Sequence, residues 1–464
     1  MSYDMINNIN IGTSKRLTLL IIAMASFITT FMATSITIAL PSIAEELLLD
    51  AILVTWVTTS FLLVAAMFLL PFGRLADIYG RKKIYIYGIL VYTAASLLCA
   101  ISSSAILLIL FRVLQGIGSA MIFGTGAAIL TSVFSSEERG RALGINAAAI
   151  YLGLSLGPFL GGLFTQHLGW RSIFFMNLPL GVVVLTLVLW KLKGEWSGAS
   201  GKRFDIVGSI IYGLSLVVMM FGFSLLPTVS GIILVSSGLL GILAFIWWEM
   251  QTTSPILNMN LFRNNAVFAF SNLASLIRYS GSFAVVFLLS LYLQYTKGLN
   301  PQNAGLILVA QPVIMTICSP FAGRLSDRIE PRIVATIGMT LTFIGLFLFV
   351  FLNEETSLAF IITSLIILGC GSALFSSPNT NAVMSSVDKG SYGIASAMLG
   401  TMRLTGQMLS MSIVMIVFAV YMGRVVITPD YYPSFLISTK VAFVIFAALT
   451  FIGIFASLAR GKVR

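Results

Sequence analysis

The chain has 464 residues, 58% of them hydrophobic and 9% charged, against about 25% charged in a soluble domain, which excludes an ordinary water-soluble fold. A mean hydropathy of +1.01 excludes disorder, which needs low hydrophobicity and high net charge. The net charge of +11 does not point to nucleic acid, because the basic residues sit in short loops between apolar blocks, where they read as a membrane-orientation signal. Those blocks are roughly 20 residues long, enough to cross a hydrocarbon core about 30 Å thick. In chain order the predicted spans are 17–40, 52–72, 84–102, 105–133, 142–164, 172–191, 205–226, 230–249, 266–294, 302–322, 333–352, 358–379, 391–421 and 437–459. The expected fold class is an all-α polytopic membrane protein with fourteen transmembrane helices, embedded in a lipid bilayer.

A polar lead ending in Lys15-Arg16 precedes a first block too long for a signal-peptide core, so a retained first helix is expected. Fourteen spans put both ends on one side. Loops on that side hold 20 Lys and Arg, Lys202, Arg203, Lys389, Lys462 and Arg464 among them; the opposite loops hold Arg171, Lys297, Arg424 and Lys440. This asymmetry predicts cytoplasmic N- and C-termini in a plasma membrane. Cys99, Cys318 and Cys370 lie inside apolar blocks without metal-ligand spacing and read as packing residues. Trp170, Trp190, Trp196, Trp247 and Trp248 read as interfacial belt residues.

An internal repeat is visible. Gly73-Arg-Leu-Ala-Asp77 returns as Gly323-Arg-Leu-Ser-Asp327, each copy in a short loop, after spans two and ten. The repeat predicts two six-helix units of like orientation, residues 1–192 and 265–464, with a linker and two added helices over 193–264. Parallel repeats of this kind mark secondary transporters with a site between the halves. Around the first copy, Gly73, Asp77, Gly80 and Arg81 read as a tight turn between helices. With Gly323, Asp327 and Arg328 they form a candidate latch that stabilises one of two conformations.

This loop is similar to the signature loop of the major facilitator superfamily. Arg112-Val-Leu-Gln115-Gly116 resembles that family's Arg-x-x-Gln-Gly element, and Gly153-Leu-Ser-Leu-Gly157-Pro158-Phe-Leu-Gly161-Gly162 resembles the antiporter motif of its export branches. Trp170-Arg171-Ser-Ile-Phe-Phe-Met-Asn177-Leu-Pro179 follows, as in the fourteen-helix drug:proton antiporter branch. The resemblance implies a non-enzymatic, cofactor-free exporter of small amphipathic molecules, a monomer, with protons as the candidate coupling ion. The alternative is an uptake transporter or facilitator for a small neutral or anionic solute without proton coupling. No phosphate-binding loop, metal cluster or nucleophile elbow is present, so ATP is not the expected energy source.

Gly153, Gly157 and Gly161 recur every four residues and form one smooth stripe for close helix approach, while Pro158 kinks the helix locally. Arg112 lies roughly 10 Å from the outer end of its span, and Arg278 and Arg403 roughly 18 Å inside theirs. Charges at such depths are costly and normally face protein or water. All three, with Gln115, Gly116 and Gln407 beside them, are candidate coupling or cavity residues. So are Thr34 and Thr37, in the run Phe31-Met32-Ala-Thr34-Ser-Ile-Thr37 of span one. His167, the single histidine, reads as interfacial.

The drug:proton branch usually places an aspartate where this chain has Met32. All 16 acidic residues, Asp4 and Glu137 included, fall in loops, tails or helix ends. A cationic drug prefers an anionic cavity. The expectation is therefore a preference for neutral or anionic substrates. Proton coupling should be absent, carried by the substrate, or indirect through end residues such as Asp77 or Glu249.

Overall fold

A computed structural model of the chain describes residues 15–135, 138–198, 204–252, 254–257, 259–388 and 392–461. Asp4, Glu137, Lys202, Arg203, Lys389, Lys462 and Arg464, and part of the 193–203 linker, lie outside the described residues. The described structure is all-helical, with 14 helices long and apolar enough to cross a membrane. They are α1 Lys15–Leu47, α2 Ala51–Tyr79, α3 Arg81–Ala100, α4 Ala105–Val133, α5 Arg139–Leu168, α6 Arg171–Lys191, α7 Ile206–Leu225, α8 Val229–Gln251, α9 Ala266–Thr296, α10 Pro301–Arg328, α11 Pro331–Phe349, α12 Leu358–Ser385, α13 Tyr392–Tyr421 and α14 Tyr432–Ala459.

Helices are the only open-ended elements that satisfy every backbone group in lipid, and local capping chemistry sets their starts. Side chains of Asp50, Ser104, Asp205, Thr228, Asn265, Asn300 and Ser357 accept from the third residue onward at the starts of α2, α4, α7, α8, α9, α10 and α12. Pro301 follows the Asn300 cap at the first helical position, where its missing N–H costs nothing.

Several predicted boundaries shift by a few residues, and two shifts have a clear physical reason. Span one was expected to end at residue 40, yet α1 runs through Pro41 to Leu47, because Ile43 and Ala44 are buried against the core. The paired five-residue motifs were expected in loops; instead Gly73–Asp77 and Gly323–Asp327 form the last turns of α2 and α10. The turn itself falls at Gly80, whose φ of 116° suits glycine alone. In the second copy, Ile329 and Glu330 turn the chain with negative φ before Pro331.

The packing has a repeat of its own. Within α1–α6, α1 lies on α5 and α6, α2 on α4, and α3 on α4 and α6; α9 lies on α13 and α14, α10 on α12, and α11 on α12 and α14 in the same way. The two sets meet along two related seams, α2 with α13 and α5 with α10, while α1 touches α9 between them. The added pair, α7 and α8, packs on itself, and α7 lies along both α2 and α13. One end of the bundle carries the α2–α3 and α10–α11 turns and is called here the basic-loop end.

Candidate functional site

At the basic-loop end, Asp77 Oδ1 accepts from Arg81 Nε at 2.8 Å and faces Arg81 Nη2 at 2.7 Å. Arg81 Nη1 donates to Ala128 O at 2.9 Å and to Ser132 Oγ at 2.5 Å, which ties the turn to α4. The segment after α6 closes over it: Arg81 N donates to Trp196 O at 2.9 Å and Lys82 N to Glu195 Oε1 at 2.8 Å. A side chain at Gly80 would collide with Glu195. Gly73 packs near Gly124 of α4. The second copy is built differently. Its residue four past Asp327 is Pro331, which cannot reproduce the Arg81 clasp, and Arg328 is exposed at the end of α10. A methyl at Gly323 would stand 3.2 Å from Ser377 Oγ.

The glycine stripe of α5 lies directly on α1. Methyl groups at Gly153, Gly157 and Gly161 would press on Phe27 O at 2.8 Å, Phe31 O at 2.9 Å and Ser35 Cα at 2.7 Å. The close approach lets Ser35 Oγ donate to Gly157 O at 3.0 Å, and brings Thr34 Oγ1 within 3.5 Å of Gly153 O. Gly162 belongs to another face. It abuts Pro301 O, and Pro158 O abuts Gly305, so this part of the motif seals α5 against α10 across the seam.

The seams are closed at the end away from the basic loops. There Ala51 N donates to Val425 O at 2.9 Å, Ser290 Oγ to Thr37 O at 2.8 Å and Gln294 Nε2 to Ile38 O at 3.0 Å, while His167 Nε2 lies 3.0 Å from Gln302 Oε1. Thr37 is thus buried in the α1–α9 crossing and does not line a cavity. Midway down, Ser155 Oγ and Thr316 Oγ1 still meet at 3.4 Å. Toward the basic loops, Gly140 and Gly144 of α5 face open space. The polar contacts named between the two sets of helices thus lie at the far end and at mid-depth.

Arg112 does not line a cavity either. It is 1% exposed, and its partners come from the first half alone. Its Nε donates to Val57 O at 3.1 Å, its Nη1 to Gln115 Oε1 at 2.6 Å, and its guanidinium sits 4.4 Å from the Phe61 ring centre. Gln115 Nε2 continues to Ser96 Oγ at 2.8 Å. The Arg-x-x-Gln-Gly element is a polar clasp joining α2, α3 and α4. Gly116 completes it, since a methyl there would stand 2.7 Å from Phe61 O.

Arg278 and Arg403 lie elsewhere. Arg403 of α13 reaches across to α4, 5.5 Å from the Phe123 ring centre. Arg278 of α9 is 4% exposed, donates from Nη2 to Ser372 Oγ, stacks 4.6 Å from the Tyr279 ring centre, and leaves Nε without a partner. Tyr151 of α5 lies near Ser319 of α10 and within electrostatic range of Arg278, Arg403 and Tyr279. Gly406, one turn beyond Arg403, lets α13 approach Leu276 O and Tyr279 of α9; Gln407 beside it is half-buried. Two cations, three aromatic rings and a set of hydroxyls therefore converge near mid-depth. Phe123, Tyr151, Ser319 and Ser372 carried no sequence signal, being ordinary residues of apolar helices. Trp170, expected at a lipid interface, is instead buried and donates to Glu46 Oε2 at 2.7 Å.

The sequence pattern of the Major Facilitator Superfamily matches residues 22–271 and 271–463. This chain is a major facilitator superfamily transporter. Among its relatives, riboflavin transporter RibZ of Clostridioides difficile is 30% identical over 395 residues, 84% of this chain and 85% of that one. Multidrug resistance protein Stp of Mycobacterium tuberculosis is 29% identical over 416 residues, 88% and 77% of the two chains. Multidrug transporter MdtP of Bacillus subtilis is 30% identical over 396 residues, 83% and 72%. The fold of this superfamily member also matches a solved peptide transporter, POT in complex with sulfate, with a TM-score of 0.70 and 15% identity over 96% of this chain and 97% of that one. The transporter is a multi-pass membrane protein and not an enzyme.

Proposed function

We propose that this transporter exports small amphipathic molecules, neutral or anionic, by alternating access in a plasma membrane. Both termini and the basic-loop end face the cytoplasm, and with the polar contacts between the halves at the far end and at mid-depth, this conformation is the inward-open one. Residues 1–192 and 265–464 rock as two bodies about the α2–α13 and α5–α10 seams, and the 193–264 segment rides between them as a monomer's third part. The observation that carries the substrate class is the Arg278–Arg403–Tyr151–Tyr279 cluster at mid-depth. Buried cations attract an anionic group, and the rings beside them offer faces to a planar apolar one.

The export direction draws support from the relatives named as multidrug transporters. A second reading, uptake of a planar neutral or anionic solute, is favoured by the relative named as a riboflavin transporter. Proteoliposomes loaded with matched fluorescent amphiphiles, one carboxylated and one permanently cationic, separate these readings. The carboxylated probe should move faster, and Arg278→Ala with Arg403→Ala should lower its rate at least tenfold while sparing the residual cation flux. Strong gradient-driven movement of the cation, unchanged by both substitutions, would refute the anionic preference. Accumulation inside cells that is raised by the protein would support uptake over export.

A further inference from the structure

Away from the central cluster, two carboxylates are buried together at the basic-loop end of the added helices. Asp205 caps α7: its Oδ1 accepts from Gly208 N at 2.8 Å and its Oδ2 from Trp248 Nε1 at 2.9 Å. Glu249, in the last turn of α8, accepts from Leu257 N at 2.9 Å through Oε2. They are 8% and 3% exposed. A methyl on Gly208 would stand 2.5 Å from Asp205 Oδ2 and 2.9 Å from Glu249 Oε1, so both oxygens border the same small space. Glu249 Oε1 is buried without a partner. Arg74, in the last turns of α2, lies within electrostatic range of Glu249, and its own Nε is also buried and unpartnered. The groups facing Glu249 are thus Asp205 from α7, Arg74 from α2, Trp248 from its own helix, and the backbone N–H groups of Ile256 and Leu257.

We propose that Asp205 and Glu249 form a proton-binding site that biases the conformational equilibrium through Arg74. Two carboxylates around one dry space are held together most favourably by a single shared proton. When that proton leaves to bulk water, Glu249 Oε1 gains a full charge, and Arg74, whose Nε is free, is the cation within electrostatic range able to answer it. Drawing Arg74 toward α8 moves the end of α2 that carries Asp77. The added helices are placed to transmit this, since α7 bridges one of the two seams: Tyr212 Oη donates to Ala66 O of α2 at 3.3 Å and lies near Thr405 of α13, while Ser412 of α13 donates to Met220 Sδ at 3.0 Å. The proposal rests on the alternating-access reading above. It gives the transporter a titratable site even though Met32 stands where the branch usually has its acid.

The test needs no substrate. Spin labels at Gly140→Cys and Thr380→Cys, with the three native cysteines replaced by serine, report the opening of the basic-loop end for the full chain in lipid nanodiscs between about pH 5 and pH 9. The ratio of open to closed populations should change roughly tenfold across that range with a single midpoint. Glu249→Gln should hold the low-pH ratio at every pH. Asp205→Asn, which keeps the α7 cap, removes a neighbouring negative charge and should move the midpoint downward. An unmoved midpoint in Asp205→Asn, or wild-type pH dependence in Glu249→Gln, would overturn the proton site and leave alternating access standing. A single pH-independent population in the wild type would overturn both.

Discussion

Arg112 and Arg403 are each a lone arginine inside an apolar helix, but their surroundings differ: Arg112 is enclosed by its own half, whereas Arg403 reaches across to Phe123 of the other. Arg112 is closed in by α2, α3 and α4, so Arg112→Ala leaves the Gln115 amide oxygen without its donor and a cavity in a dry interior, at a cost on the order of 3 kcal/mol. The expected outcome is a lower thermal midpoint and yield, with substrate affinity unchanged in the fraction that folds; a selective loss of affinity in well-folded protein would contradict the clasp. Asp77 is different again. Its ion pair with Arg81 is partly exposed and contributes about 0–1 kcal/mol, while Ala128 O and Ser132 still hold Arg81. Asp77→Asn should therefore leave the fold intact and depress transport far more than binding, as compared by flux and equilibrium titration of one probe. An equal loss of both would tie Asp77 to the substrate instead.

Helix α5 has two working faces, and the motif that spans them serves both. Gly153, Gly157 and Gly161 hold α5 against α1 within one half, whereas Gly162 and the Pro158 carbonyl seal it to α10 of the other. Gly157→Leu should block transport while the protein still inserts, because a branched side chain cannot fit against Phe31 O and Thr34 without parting the helices. Wild-type flux from normally expressed Gly157→Leu would refute the tight crossing. The i, i+4, i+8 spacing made the first face legible from sequence. The second was not legible, since a carbonyl carries no sequence signature and the partner of the Pro158 carbonyl, Gly305, is 147 residues away. Likewise Gly73–Asp77 reads as loop by its glycine and charges, but packing of Gly73 on Gly124 draws it into α2.

Alternating access requires the closed end to open, and that end is held by few polar contacts. His167 and Gln302 face each other across the α5–α10 seam at 3.0 Å. A short thiol-cleavable crosslinker joining His167→Cys to Gln302→Cys should trap this conformation and abolish turnover, with activity restored by reductant. Full activity of the cross-linked protein would mean that this seam does not part. The added pair α7–α8 lies along the companion seam, where α2 and α13 meet, so its position relative to both halves should change between the two states.

Composition, block length and loop charge were enough to read off fourteen helices, their order, a repeated half and the sidedness expected of them. The reason is that lipid offers no hydrogen bonds, which leaves a long apolar block one available structure. The rotation of each helix about its axis was not legible, because it is set by which small residues its neighbours present. That rotation decided that Arg112 is a clasp, that Arg278 and Arg403 converge with Tyr151, and that Asp205 meets Glu249 beside Arg74. Tertiary packing alone brings side chains hundreds of residues apart to one depth and one face, and no periodicity along the chain records that distance.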